Sequence, residues 1–109
     1  MTDTPVLAEI TTSPGGTVLL YTVDVSNTVS GTVFCMNQSN IDDLVSVALV
    51  PNGNTLGSSN WIAYNTLIYH GQSLYIQQIY LNSGDSIYVQ SQNGTSNFIF
   101  NGILNPTTI

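Results

Sequence analysis

The stretch SLYIQQIYLNSGDSIYVQS, residues 73–91, decides how the rest of the chain is read. Leu74 and Ile76 alternate with Ser73, Tyr75 and Gln77, the period of two that puts every second side chain on one face of a strand. Ile79 and Leu81 extend the apolar face, but the step from Ile76 to Ile79 is three. A strand keeps its face across such a step only by accommodating one extra residue, so a β-bulge is expected near Gln77-Gln78. Asn82-Ser83-Gly84-Asp85 has the chemistry of a tight turn, and Ile87 and Val89 resume the alternation as inward residues. The stretch reads as two strands, 73–81 and 86–91, joined as a sandwich hairpin.

The same grammar recurs on both sides. Residues 6–11 read as a first strand, stopped by Ser13-Pro14-Gly15-Gly16. Residues 17–25 read as a second, with Leu19, Tyr21, Val23 and Val25 on one face. Residues 31–37 and 44–50 follow, the latter alternating Val45, Val47 and Leu49 with Ser46 and Ala48 before the turn Pro51-Asn52-Gly53-Asn54. A short strand over 61–64 precedes the opening stretch. After it, Asn93-Gly94 turns into a last strand over 97–103, and Pro106 marks the end of pairing. No helical period competes, and no repeat or linker is visible. Seven or eight short strands at this spacing predict an all-β, antiparallel β-sandwich, Ig-like or jelly-roll-like. It occupies residues 1–109 as a single domain, with short terminal arms at about 1–5 and 104–109.

Composition excludes whole classes of function. The 109 residues contain six carboxylates, one histidine, one cysteine and no lysine or arginine; an ordinary domain of this length holds roughly 27 charged residues. Phosphate neutralisation, on which nucleic-acid binding runs, has no cation to use. Polybasic attachment to anionic lipid fails for the same reason, and no apolar run is long enough for a membrane-spanning helix. Disorder is equally excluded, because 42% of the residues are hydrophobic. Asn, Gln, Ser and Thr supply the hydrophilicity. A lone Cys35 forms no internal disulfide, and the N-terminus MTDTPVLAEI lacks the basic region and apolar core of a signal peptide.

Few residues invite chemistry. His70 stands in Tyr69-His70-Gly71-Gln72, which reads as a turn, and Cys35 lies mid-strand, where a buried thiol acts as a small hydrophobe. Catalysis needs a nucleophile, a base and an orienting group, and one His with one Cys does not supply them, so no enzyme and no cofactor are expected. Asp42 and Asp43, with Asn40, are the only carboxylate cluster and the weak candidates for a cation site. Asp85 is expected to stabilise its own turn. Trp61, Tyr64 and Tyr69 are candidates for a protein interface or, in a rival reading, a glycan platform. The sequons at Asn37 and Asn93 carry weight only in a secreted eukaryotic chain.

The missing lysines bear on partners as well. Soluble β-proteins commonly guard sheet edges with Lys. Strands without it are expected to be covered by other protein, in an assembly of copies or on a larger scaffold.

Across most of the chain, from about Val18 to Ile103, the strand motifs form a series. They are Tyr21-Thr22-Val23, Cys35-Met36-Asn37, Val45-Ser46-Val47-Ala48, and Ile62-Ala63-Tyr64 running to Ile68. Leu81-Asn82-Ser83-Gly84-Asp85-Ser86-Ile87-Tyr88-Val89 and Phe100-Asn101-Gly102 complete it. The series resembles the small β-sandwich virion structural proteins of tailed bacteriophages. This chain departs from them in having no Lys or Arg. The resemblance implies a virion part that is not an enzyme: a capsid decoration or cement protein, or else a tail, neck, baseplate or fibre component. It further implies self-association as a dimer or trimer, binding to other virion proteins such as the major capsid protein, and terminal arms that reach neighbouring subunits. A carbohydrate-binding host-recognition module, presenting Trp61 with Tyr64 or Tyr69, is the rival.

Overall fold

The computed structural model describes residues 4–106. Eight strands are present: β1 (Thr4–Thr11), β2 (Thr17–Thr22), β3 (Asn27–Asn37), β4 (Asp43–Val50), β5 (Trp61–Ile68), β6 (Ser73–Leu81), β7 (Ser86–Ser91) and β8 (Ser96–Pro106). The one helical element among the described residues is a single 3-10 turn, Ser58–Asn60. The strands form two four-stranded antiparallel sheets, in the orders β1-β8-β3-β6 and β2-β7-β4-β5. That order is the jelly roll, which resolves the choice of sandwich against the Ig-like alternative.

Alternation places the core between the sheets. Val29, Val33, Cys35, Ile79, Leu81, Phe98 and Phe100 from one sheet meet Leu20, Val45, Val47, Ile68, Ile87 and Val89 from the other, all buried. Tyr21 stacks on Phe100 across the gap, with ring centroids 5.2 Å apart. Burying a Phe, Val, Leu or Ile side chain contributes about 1.5–3 kcal/mol, so these inward rows are the main favourable term in folding.

The opening stretch holds its expected bounds and its bulge. Val33 pairs with Ile76 and Gly31 with Ile79, two residues against three, and Gln78 takes a left-handed φ of 61°. It is not a hairpin, however. β6 pairs with β3, whereas β7 pairs with β2 and β4, so Asn82-Ser83-Gly84-Asp85 arches between the sheets. Leu81 and Ile87 are both needed in the core, and an arch lets each reach it from its own sheet.

Other boundaries shift for local reasons. β2 stops at Thr22, and a register shift at Leu20 breaks its alternation before that. Leu19 is therefore exposed while Tyr21 packs on the core; past the strand, Val23 is buried and Val25 is exposed. Val23 leaves the sheet to exchange backbone bonds with Gly84 and Asp85. β5 runs four residues past Tyr64, through a bulge at Asn65 (φ 47°).

The expected arms shorten. Thr4 and Pro5 pair with Leu104 and Ile103, and Leu104 to Pro106 pair with Val29 to Asn27. β8 lies between β1 and β3, so its C-terminal half has a partner on both sides over much of its length. Residues 1–3 and 107–109 lie outside the described residues. Thr12, at the corner after β1, buries a hydroxyl that has no hydrogen-bond partner among the described residues.

Candidate functional site

Four polar residues at strand ends point inward with the hydrophobic ones. Asn37 has the parity of Val33 and Cys35, Asp43 that of Val45 and Val47, Ser91 that of Ile87 and Val89, and Ser96 that of Phe98 and Phe100. All four are buried. They close one end of the core with a polar layer in which the donors and acceptors are matched. The Asp43 carboxylate accepts from the hydroxyls of Ser91 and Ser96, and from the N–H groups of Leu44 (2.9 Å) and Asn93 (3.0 Å). Asn37 donates to the carbonyls of Ile41 (2.7 Å) and Ile68 (3.2 Å), and accepts from Ser39 and Thr95. Burial alone pushes the Asp43 carboxyl up. The four hydrogen bonds outweigh it and hold the group below the usual carboxylate range.

The titratable candidates of this end go to different partners. Asp42 is exposed and accepts from the backbone N–H of His70 at 3.1 Å, with His70 Nδ1 3.3 Å away. It fastens the turn after β5, while Asp43 serves the interior. No group of three His, Cys, Asp or Glu side chains converges among the described residues. Cys35 is buried, and burial pushes its thiol up to about 12, assisted by Asp43 and opposed by a hydrogen bond with Ser96. Such a thiol is a poor nucleophile. Asp85 ties its own turn, accepting from Asn82 N–H (2.8 Å), and anchors the next loop through Asn52 N–H (2.9 Å).

Two open grooves mark the surface. One of about 460 Å³ is lined by Glu9, Ile10, Thr11, Asn97, Phe98 and Ile99. The other, about 200 Å³, lies along Leu49, Val50, Pro51, Tyr80, Leu81 and Asp85. Each holds a single carboxylate, so neither sets up the paired acids of a glycosidase.

The aromatic candidates are partly assembled. Trp61 and Tyr64 lie on β5 with ring centroids 5.5 Å apart, inclined at 55°. Tyr64 is exposed, Trp61 half-buried. Tyr69 is exposed in the turn after β5 and has no ring partner among the described residues. Trp61 also pairs with Ala48, which pairs with Tyr88, which pairs with Leu19, so one apolar row crosses all four strands of this sheet's outer face.

The outer face of the other sheet is more uniform. Register aligns Pro5, Ile103, Ser30 and Tyr80 in one row, and Glu9, Ile99, Phe34 and Tyr75 in another. Phe34 and Tyr75 meet edge-to-face at 5.2 Å. Leu7, Met36, Tyr75, Tyr80 and Ile103 are exposed there, and among the described residues Glu9 is the face's single charge. Sequence reasoning pointed to Trp61, Tyr64 and Tyr69 and missed this face. Its signal was available, since the second phase of each strand's alternation carries Leu, Ile, Phe and Tyr where charges are usual.

Comparison with known proteins finds no matching family model, no matching curated protein and no matching solved structure.

Proposed function

We propose that the chain is a non-enzymatic bacteriophage virion structural protein, in first place a capsid decoration or cement protein that self-associates and binds the capsid lattice. The observation that carries this reading is the outer face of the β1-β8-β3-β6 sheet, where among the described residues five large exposed apolar side chains share one charge. Large apolar side chains exposed on a nearly uncharged sheet face mark a contact site, even with Asn101, Thr32 and Ser30 among them. The jelly roll is used by capsid and lectin domains alike, so the fold adds an analogy and the face adds the argument. On a repeating lattice, many copies each contributing a modest contact bind strongly in sum. A dimer or trimer would match the shell's symmetry axes.

Location and stoichiometry in a purified particle test the proposal. Copies numbering in the hundreds assign the protein to the shell. A ring of three or six assigns it to the tail, neck or baseplate. Absence from the particle overturns both.

A glycan-binding role is the second reading, favoured by the Trp61–Tyr64 pair. Glycan-array binding that Trp61→Ala abolishes would support it, and an array without signal would end it.

A further inference from the structure

Asparagine followed by glycine is prone to spontaneous deamidation, because glycine has no side chain to keep its backbone nitrogen away from the neighbouring amide. The chain holds three such dipeptides, Asn52-Gly53, Asn93-Gly94 and Asn101-Gly102. Reaction requires the amide group to swing onto the following nitrogen, and the fold opposes this at two of them. Asn93 is clamped: its Nδ2 donates to the Asp42 carbonyl at 2.8 Å and its N–H to Asp43 at 3.0 Å. The nitrogen that would attack, in Gly94, is itself engaged, donating to the Ser91 carbonyl at 3.3 Å. Asn101-Gly102 lies in β8, paired with β1 on one side and β3 on the other, and Gly102 is packed against the Ser30 carbonyl and the Phe100 ring.

Asn52-Gly53 is open. It forms the middle of the turn from Pro51 to Asn54, closed by the Asn54 N–H donating to the Pro51 carbonyl at 3.0 Å. Asn52 is exposed, and Gly53 has a φ of 83° with nothing within 4 Å of where a Cβ would stand. Among the described residues, neither the Gly53 N–H nor the Asn52 side-chain amide has a hydrogen bond. The base of the turn is fixed, however. The Asn52 N–H donates to Asp85 Oδ1 at 2.9 Å, and the Asn52 Cγ lies against Gly84, filling the place of a Cβ there.

We infer that Asn52 is a self-modification site, at which the Gly53 nitrogen attacks the Asn52 Cγ and the turn acquires a carboxylate without an enzyme. The new N–Cγ bond closes a succinimide ring as the Cγ–Nδ2 bond breaks. Nδ2 leaves as ammonia, taking up the proton that the Gly53 N–H gives up. Water then opens the ring at either carbonyl. One opening leaves aspartate; the other leaves isoaspartate, whose main chain runs through Cγ and is longer by a methylene. Nothing is oxidised or reduced. Either product adds a negative charge to a chain already at −6 and places it beside Asp85. Like charges then meet at the bond that ties this turn to the β6–β7 arch, and the tie weakens. The reaction needs only the turn and water, so it stands apart from the function proposed above.

The test follows the full chain by intact-mass and fragmentation mass spectrometry during incubation at mildly alkaline pH, folded and in guanidinium chloride. In the folded chain Asn52 is expected to convert at least about tenfold faster than Asn93 and Asn101, which must wait for local opening. In denaturant the three rates should converge, because only the fold separates them. Isoelectric focusing should show an early band that is more acidic by one charge, and Asn52→Gln should remove it. Asn52→Asp should unfold at a lower urea concentration than Asn52→Gln, by a margin that shrinks as salt is added. Conversion first at Asn93 or Asn101, or a folded chain that stays intact while the unfolded one reacts, overturns the inference. Equal midpoints for Asn52→Asp and Asn52→Gln at low salt overturn the weakened tie to Asp85.

Discussion

Gly31 on β3 lies directly opposite Gly102 on β8, and the two backbones leave no room for a side chain at either position. A Cβ on Gly31 would stand 2.3 Å from the Asn101 carbonyl oxygen and 2.6 Å from the Gly102 Cα, both backbone atoms of a central strand. On Gly102 it would meet the Ser30 carbonyl at 2.7 Å and the Phe100 ring at 2.9 Å. Gly31 also pairs with Ile79, at the edge of the β6 bulge. Gly31→Ala is therefore expected to cost at least about 3 kcal/mol, at the upper end of overpacking penalties. Urea unfolding measures it, and an unchanged midpoint would contradict the β3–β8 register.

Asp43 makes stability depend on acid. Its carboxyl titrates lower in the folded chain than the ordinary 3.8, so in that window the unfolded chain binds more protons. The contribution is present above the unfolded value and is lost as pH falls through the folded one. Thermal melts from pH 6 to pH 2 should show a drop below about pH 4. Asp43→Asn should lower stability at neutral pH by about 1–3 kcal/mol, because an amide cannot accept from all four donors, and should flatten this part of the acid limb. A variant with the acid limb of the parent would disprove the role given to this carboxylate.

Thr12 offers a gain. Its buried hydroxyl has no hydrogen-bond partner among the described residues, whereas Val has the same shape with a methyl in its place. Thr12→Val is expected to stabilise the fold by about 1 kcal/mol, visible as a rise in the denaturation midpoint. A loss of stability would mean that the hydroxyl is satisfied in solution.

Deletion of Gln78 tests the bulge as an edge guard. Without it, Leu74, Ile76, Ile79 and Leu81 fall into plain alternation, and two residues of β6 oppose two of β3. The fold should survive with its melting temperature changed by only a few degrees. Edge association through the flattened β6 should increase, read as added concentration-dependent mass by light scattering. Mass equal to the parent's at every concentration would show that the bulge serves another purpose.

Much of this architecture was legible because strand alternation is a local signal. β6 and β7 could be bounded from Leu74, Ile76, Ile79, Leu81, Ile87 and Val89 alone, and the three-residue step disclosed the bulge. What escaped was set by distant partners. Nothing local to Asn82-Ser83-Gly84-Asp85 distinguishes a hairpin from an arch, because the choice depends on β3 and β2 being available to β6 and β7. Asn27 and Thr28 carry no strand pattern, yet β8 recruits them as Asn105 and Pro106 pass alongside. At the candidate site, Asp42-Asp43 drew notice as a charged pair, while the parity that turns Asp43 inward with Val45 separates the two roles.

The placement of the carboxylates has a directional consequence. Asp24 and Asp85 lie in loops joined by the Val23–Asp85 backbone bond, at one end of the sandwich; Asp42 and Asp43 lie at the opposite end. Among the described residues only Glu9 is charged on the strands' outer faces. Among the described residues the molecule thus has two negative poles, with Glu9 the one charge on the strand faces of the waist between them. Tip-to-tip stacking brings like poles within a Debye length, about 8 Å at physiological salt, whereas sideways contact at the waist meets no such barrier. In the self-association proposed above, sideways contact between copies is therefore favoured over end-to-end stacking.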